Sequence, residues 1–438
     1  MNLRAGYQKV KKYLNNILWI MGDKVTNLGV SFLITVVVAR YLGPEEFGLF
    51  SYAISVSALF AAAGHMGLSG LVVREIVKKP DERGTTLGTT LGLKLIGMGG
   101  GYLLLLLYAG LYEGFSSIEF ALLAIAGAVL LLRPFDIVDF WFQAFVQARY
   151  VTFARISGLL VSSALKLSFV FFGASVIYFV AANVMQAFVV AAMFLVLYST
   201  KSSIKFSEWS FSWARAKELF GQGWMVYLGS IFAVIYLKVD QVMLRWFEGT
   251  ESVGIYAVAA QFSEAWYFVP AAIVTSLFPK LIKLREQSQK EFDYRFQQLL
   301  DLLFILALVI AVIMTFASEA LVTIFFGEHY LESADILVIH IWAALFIFMR
   351  AAFSKWILIE NVLVFSLITQ GIGSGVNVAL NYFLIPKYGA TGAAFATLIS
   401  YSFASFFSLF LYSKTRPVFF MMVRSILFLF RYARVAKE

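Results

Sequence analysis

The sequence predicts an all-α polytopic membrane protein of about twelve transmembrane helices. Three observations carry this. Of 438 residues, 61% are hydrophobic, against roughly 45–50% in soluble domains. Only 14% are charged, and the mean hydropathy is +0.82. Several apolar stretches reach about 20 residues, the length that crosses a hydrocarbon core of about 30 Å. A membrane β-barrel would instead read as segments of about ten residues with alternate positions polar.

The elements follow in order. The N-terminus, MNLRAGYQKVKKYLNN, is basic and runs into a span too long for a cleaved signal, with no small-residue cleavage site after it; it reads as a retained first helix. The expected spans are 17–40, 47–72, 87–111, 118–140, 151–172, 176–198, 218–244, 253–278, 298–317, 334–358, 362–385 and 389–412. Pro270 is expected to kink the eighth. Trp19, Tyr41, Tyr112, Trp246 and Trp266 fall near span ends, where amphipathic rings favour the interface. The run from Pro417 to Phe430 is too short to cross and contains Arg424; with Arg431, Arg434 and Lys437 it fits an interfacial helix on an anionic leaflet.

Lys and Arg set the orientation. They concentrate at the N-terminus (Arg4, Lys9, Lys11, Lys12), in 74–83, 149–155, 201–217 and 280–295, and in the tail. The alternate loops hold Arg40, Arg245 and Lys387, and the stretch around 319–335 has acids but no Lys or Arg. Both termini are therefore expected in the cytoplasm. The pI of 9.4 is a topology signal, and no nucleic-acid partner is implied.

The halves echo one another. Arg40-Tyr41-Leu42-Gly43-Pro44-Glu45-Glu46-Phe47-Gly48 follows span one, and Arg245-Trp246-Phe247-Glu248-Gly249-Thr250-Glu251-Ser252-Val253-Gly254 follows span seven. Each reads basic–aromatic, then a short acidic turn with glycine, then the next helix. Two repeats of six spans is a common transporter plan. The expected organisation is an N-terminal six-helix bundle (1–200), a C-terminal six-helix bundle (201–413) and a basic amphipathic cytoplasmic tail (414–438).

The first hairpin, GDKVTNLGVSFLITVVVARYLGPEEFGLFSYA, resembles the opening of polysaccharide-export flippases of the Wzx-like O-antigen branch. These belong to the multidrug/oligosaccharidyl-lipid/polysaccharide (MOP) exporter superfamily. LKVDQVMLRWFEGTESVGIYAVA at 237–259, LVTIFFGEHYLESADIL at 321–337 and NYFLIPKYGATGAAFATLIS at 381–400 keep that order and spacing. In the last, Gly389, Gly392 and the alanines suit tight packing of a helix start against a neighbour. The resemblance implies two six-helix bundles around a V-shaped cavity (the MATE-like fold). It implies passage of a polyprenyl-diphosphate-linked glycan from the cytoplasmic to the outer leaflet of a bacterial or archaeal inner membrane. It further implies coupling to H+ or Na+ and, as a partner beside membrane lipids, a polysaccharide polymerase. A drug/cation antiporter and a peptidoglycan-precursor flippase of the same superfamily are the alternatives; a non-transport scaffold would not need so many intramembrane cations.

Charges inside spans cost about 2.5–3.5 kcal/mol each on insertion scales and need a partner or a wet cavity. Lys24, Lys166, Lys238, Arg350 and Arg133, with Asn27, are the candidates for a cationic cavity that binds phosphate. Lys24 and Asn27 share a helix face; the alternative for Lys24 is a salt bridge to a neighbouring helix. Lys238 lies by Asp240 and either lines the cavity or snorkels outward. Arg350, with Phe346 and Ser354 one turn away, and Lys166, above Ser162 and Ser163, have no adjacent acid. Arg133 and Asp136 either neutralise one another or serve the cavity. Lys94, among glycines, is expected to snorkel. Asp23, Asp240, Glu264 (beside Gln261) and His65, placed near the outer end of span two, are the ion-coupling candidates.

The chain has no Cys, which excludes disulfide, iron–sulfur and thiolate-metal sites, and its three His (His65, His329, His340) are scattered. No metal site, cofactor, nucleotide-binding segment or nucleophile–base arrangement stands out, and every loop is short, so an enzyme is not expected.

Overall fold

The computed structural model describes the backbone of residues 3–427 and the side chains from residue 15 onward, Leu363 excepted. Arg4, Lys9, Lys11 and Lys12, and the tail residues Arg431, Arg434 and Lys437, lie outside the described side chains.

Among the described residues every regular element is a helix. In order these are α1 (Leu3–Gly64), α2 (Ser69–Lys78), α3 (Arg83–Ala109), α4 (Ile118–Gly127), α5 (Val129–Leu132), α6 (Ile137–Ala144), α7 (Ala148–Phe171) and α8 (Val176–Lys201). Then come α9 (Trp213–Phe247), α10 (Thr250–Glu264), α11 (Phe268–Gln287), α12 (Gln289–Phe325), α13 (Glu332–His340), α14 (Ala343–Ile359), α15 (Leu363–Ser402), α16 (Ser408–Leu411) and α17 (Arg416–Ile426). They form 10 helical stretches long and apolar enough to cross a membrane. Two of these, in α1 and α15, leave helical geometry at Gly43 and Gly389. Dividing both there gives the twelve segments expected from hydropathy, and the chain is a multi-pass membrane protein.

The glycines of the two echoed motifs do the same work. Gly43 (φ 72, ψ 173) and Gly249 (φ 91, ψ −172) adopt one left-handed, extended-ψ conformation that a Cβ would strain. Pro44 or Thr250 then opens the next helix, with Glu45 and Glu46 or Glu251 in the first turn, where the helix dipole favours negative charge.

The second span ends earlier than expected, and the eighth breaks beside Pro270 as expected. The second span stops at Gly64 instead of running to residue 72, because Met66 (φ 54) and Gly67 (φ 59) turn the chain, and α2 is a separate helix. The eighth is broken at 265–267, just before Pro270, which lacks the N–H that would continue the ladder. Gly392 packs back against Leu384 at the end of its own preceding segment. The alanines after it, Ala393, Ala394 and Ala396, are fully buried.

The contacts divide the chain into two compact units, Met1–Val234 and Ile235–Glu438, with the division inside α9. In the first unit, Leu68, Val72, Leu87, Trp141, Phe194 and Leu219 belong to one core. The first half of α9 packs there: Tyr227 Oη donates to the Ala63 carbonyl at 2.5 Å. Arg215 bridges Glu75 at 2.8 Å and Glu218 at 2.6 Å. Burial alone would push the Glu75 carboxyl up, but hydrogen bonds from Arg215 and Arg74 outweigh it and hold it below the usual carboxylate range. In the second unit the core is rich in phenylalanine, with Phe292, Phe296, Phe348 and Phe353 at 0% exposure. Trp266 packs against this core, whereas Trp19, Tyr112 and Trp246 are exposed as interface aromatics should be. In α17, Val418, Met422 and Ser425 are buried, and Ser425 donates to Asp301 of α12 at 2.6 Å.

Candidate functional site

In the second unit, α9 carries Asp240 into a fully enclosed position (2% exposed). Its Oδ2 accepts from Tyr256 Oη of α10 at 2.7 Å and from Thr397 Oγ1 of α15 at 2.5 Å. Its Oδ1 accepts from Asn381 Nδ2 at 2.5 Å. Asn381 Nδ2 also reaches Asn377 Oδ1 at 3.2 Å, one turn earlier on the same face. Every donor to this carboxylate is uncharged, and no ion pair reaches it among the described residues. Asn381 Oδ1 is buried with no hydrogen-bond partner there. Such a set suits a proton on Asp240 or a small hard cation held by oxygens.

Around it the second unit places the other candidates. Lys238 does not stand alone: its Nζ pairs with Glu264 at 3.5 Å. Arg350 is half-buried, donating to Ser366 Oγ at 2.9 Å and Thr369 Oγ1 at 3.4 Å, with its guanidinium 5.3 Å from the centre of the Phe353 ring. No acid joins it among the described residues.

In the first unit Asp23 is buried, and Asn27 turns to it, donating to its Oδ1 at 2.8 Å. Arg155 of α7 bridges Asp23 (3.3 Å) and Asp139 of α6 (2.7 Å). Asp23 is thus neutralised where Asp240 is not. Lys24, next to it, is exposed and makes no hydrogen bond or ion pair among the described residues. Lys166 donates to Asn183 Oδ1 of α8 at 2.7 Å, and its Nζ lies 5.7 Å from the centre of the Phe50 ring. Lys94 does not snorkel; it is 1% exposed, its Nζ 5.1 Å from the Phe140 ring centre. Arg133 and Asp136 form no ion pair with each other; both line a cavity of about 360 Å³ with Asn183 and Gln186. His65 lies in the turn between the end of α1 at Gly64 and the start of α2 at Ser69.

Sequence reading missed Arg155, counted only as a loop charge, and the partners Tyr256, Asn377, Asn381 and Thr397. Two signals were available: Asn377 and Asn381 stand four apart, and Asn183 and Gln186 three apart, inside otherwise apolar helices.

The fold defines a class. It matches the lipid II flippase MurJ in its inward closed conformation with a TM-score of 0.70 at 16% identity, covering 96% of this chain and 93% of that one. It matches an inward-facing MATE multidrug resistance transporter of the MOP superfamily with a TM-score of 0.70 at 14% identity, covering 89% and 94%. The chain therefore has the MOP exporter fold. The profile of the family described as "Polysaccharide biosynthesis protein" matches residues 13–285, and the chain belongs to that family. Its relatives include the "Putative O-antigen transporter" of Shigella flexneri, 28% identical over 81% of this chain and 87% of that protein. The "Probable flippase AglR" of Haloferax volcanii is 25% identical over 88% and 80%.

Proposed function

We propose that this protein flips a polyprenyl-diphosphate-linked glycan from the cytoplasmic to the outer leaflet of a bacterial or archaeal inner membrane by alternating access, driven by H+ or Na+. A lipid diphosphate cannot cross hydrocarbon unaided, because its charges would have to leave water. The observation that carries the reading is the set of intramembrane cations without a carboxylate partner among the described residues, Lys24, Lys166 and Arg350. Cations placed so at an insertion penalty suit an anionic headgroup. The names of the relatives, an O-antigen transporter and a flippase, support the same substrate class. In this reading Lys24 of the first unit and Arg350 of the second are each candidates to hold phosphate or an acidic sugar. Asp240, with Thr397, Asn377 and Asn381, takes the coupling ion, and alternation of the two bundles, expected at 1–200 and 201–413, carries the headgroup across. Glu264, ion-paired with Lys238, and Asp23, ion-paired with Arg155, are less suited to coupling than Asp240.

The test is reconstitution in vesicles with a lipid-linked glycan and a leaflet-specific probe. Wild type should move the glycan, and Lys24→Arg should retain more flipping than Lys24→Ala, since charge at this position matters more than shape. Equal rates for Lys24→Ala and wild type would remove Lys24 from the headgroup site.

A further inference from the structure

The cavity of about 360 Å³ in the first unit differs in chemistry from a phosphate site. It is walled by α1 (Ile54, Ser57), by the chain from Ala126 to Asp136, and by α8 (Asn183, Gln186). Its volume is at the low end of ligand pockets, roughly 300–1,000 Å³, enough for one or two sugar rings. Most of the wall is alanine, valine, leucine and isoleucine. Ser57 spends its hydroxyl on the Ala126 carbonyl at 3.0 Å. The remaining polar groups are a guanidinium, a carboxylate and two carboxamides. Arg133, Asp136 and Gln186 make no side-chain hydrogen bond or ion pair among the described residues. Asn183 gives its oxygen to Lys166, which leaves its Nδ2 buried without a partner.

We propose that this cavity is a saccharide subsite. Asp136 accepts from sugar hydroxyls, Gln186 both donates and accepts, Arg133 and Asn183 donate, and the aliphatic wall takes the C–H face of the ring. A carboxylate among the lining disfavours a second diphosphate, and paired carboxamides match alternating hydroxyl donors and acceptors. The subsite selects which glycan is carried, while the lipid diphosphate is held elsewhere. This rests on the flippase reading.

The test is binding, which does not depend on flipping. Purified full-length protein is titrated with farnesyl diphosphate and with farnesyl diphosphate bearing glucose, galactose or N-acetylglucosamine. At least one glycosylated probe should bind wild type about tenfold more tightly than the bare diphosphate, the ratio one or two good hydrogen bonds supply. Gln186→Leu and Asp136→Asn should each erase that difference and leave affinity for the bare diphosphate unchanged, which also shows that the variants fold. The subsite is overturned if wild type shows no preference for any sugar, or if the preference survives both variants. It is equally overturned if the variants weaken both kinds of probe alike. Binding of the bare diphosphate together with flipping in vesicles would then leave the flippase reading standing. Absence of binding to every probe would overturn both.

Discussion

The two units handle intramembrane carboxylates in opposite ways. In the first, Asp23 and Asp139 share Arg155, at 3.3 and 2.7 Å. In the second, Asp240 is as deeply buried but is surrounded by a phenol, a hydroxyl and a carboxamide. A buried carboxylate with a guanidinium is already neutral and has little reason to change its state. One held only by uncharged donors gains by taking up a proton or a cation. The same glycine turn, at Gly43 and Gly249, thus occurs in two units of which one holds its buried acids in ion pairs and the other holds one by uncharged donors alone. The cations follow no such division: Lys238 in the second unit is paired with Glu264 and Arg155 in the first with two acids, while among the described residues Lys24 and Lys166 in the first unit and Arg350 in the second have no acid.

The largest effect expected from this contrast is at Asp240. Asp240→Asn keeps the shape and most hydrogen bonds but can neither take up a proton nor offer a negative charge to a cation. It should lower gradient-driven flipping by about a hundredfold, the upper range of ordinary coupling energies. Retained gradient dependence in this variant would place coupling elsewhere. Next, the double variant Lys24→Ala, Arg350→Ala should reduce flipping roughly ten- to a hundredfold, as loss of charge-assisted hydrogen bonds to phosphate implies, with membrane abundance checked alongside.

A smaller effect sharpens the other side of the contrast. Arg155→Gln leaves Asp23 and Asp139 facing each other without a cation. Because the Arg155 side chain is 45% exposed, solvent screening reduces the loss to on the order of 1–3 kcal/mol, read as a lower melting temperature in detergent. If Asp23 is structural, Arg155→Gln, Asp23→Asn should recover part of that loss.

The smallest effect is at Glu75, whose folded-state pKa is depressed. Its contribution to stability is present above the ordinary carboxylate pKa and is lost as pH falls through the folded value. Acid unfolding of Glu75→Gln should therefore show a shallower dependence on pH below about 4.5. An unchanged acid limb would mean that the Arg215 contact adds nothing.

Much of the fold was legible because hydropathy and charge placement are summed over whole spans. Ten stretches divided by two glycines reproduce the twelve expected segments. The division of α1 at Gly43 was visible in Leu42-Gly43-Pro44. The end of the second span was not, since Met66 adopts a left-handed conformation that its side chain does not announce. The site was legible only in part. Intramembrane charges can be counted in a sequence, so Lys24, Lys166, Arg350 and Asp240 were all found. Their partners come from distant segments: Asp23 meets Arg155 across 132 positions and Asp240 meets Thr397 across 157. Nothing local in the sequence says whether a carboxylate will find a guanidinium or a hydroxyl. The orientation of the chain rests on loop charge alone; cysteines placed at the exposed positions Glu332 and Ser203 should label from outside and inside respectively.

The central claim is that acid-free cations hold an anionic lipid headgroup while one cation-free carboxylate couples its movement. It is tested most directly by following a lipid-linked glycan in vesicles containing the purified protein, with a proton or sodium gradient imposed or dissipated. The account predicts that the glycan accumulates in the receiving leaflet only when one of the two gradients is present, and that Asp240→Asn abolishes the difference. Glycan that stays in its original leaflet with wild type under either gradient, or that moves equally in the Asp240→Asn variant, would contradict it.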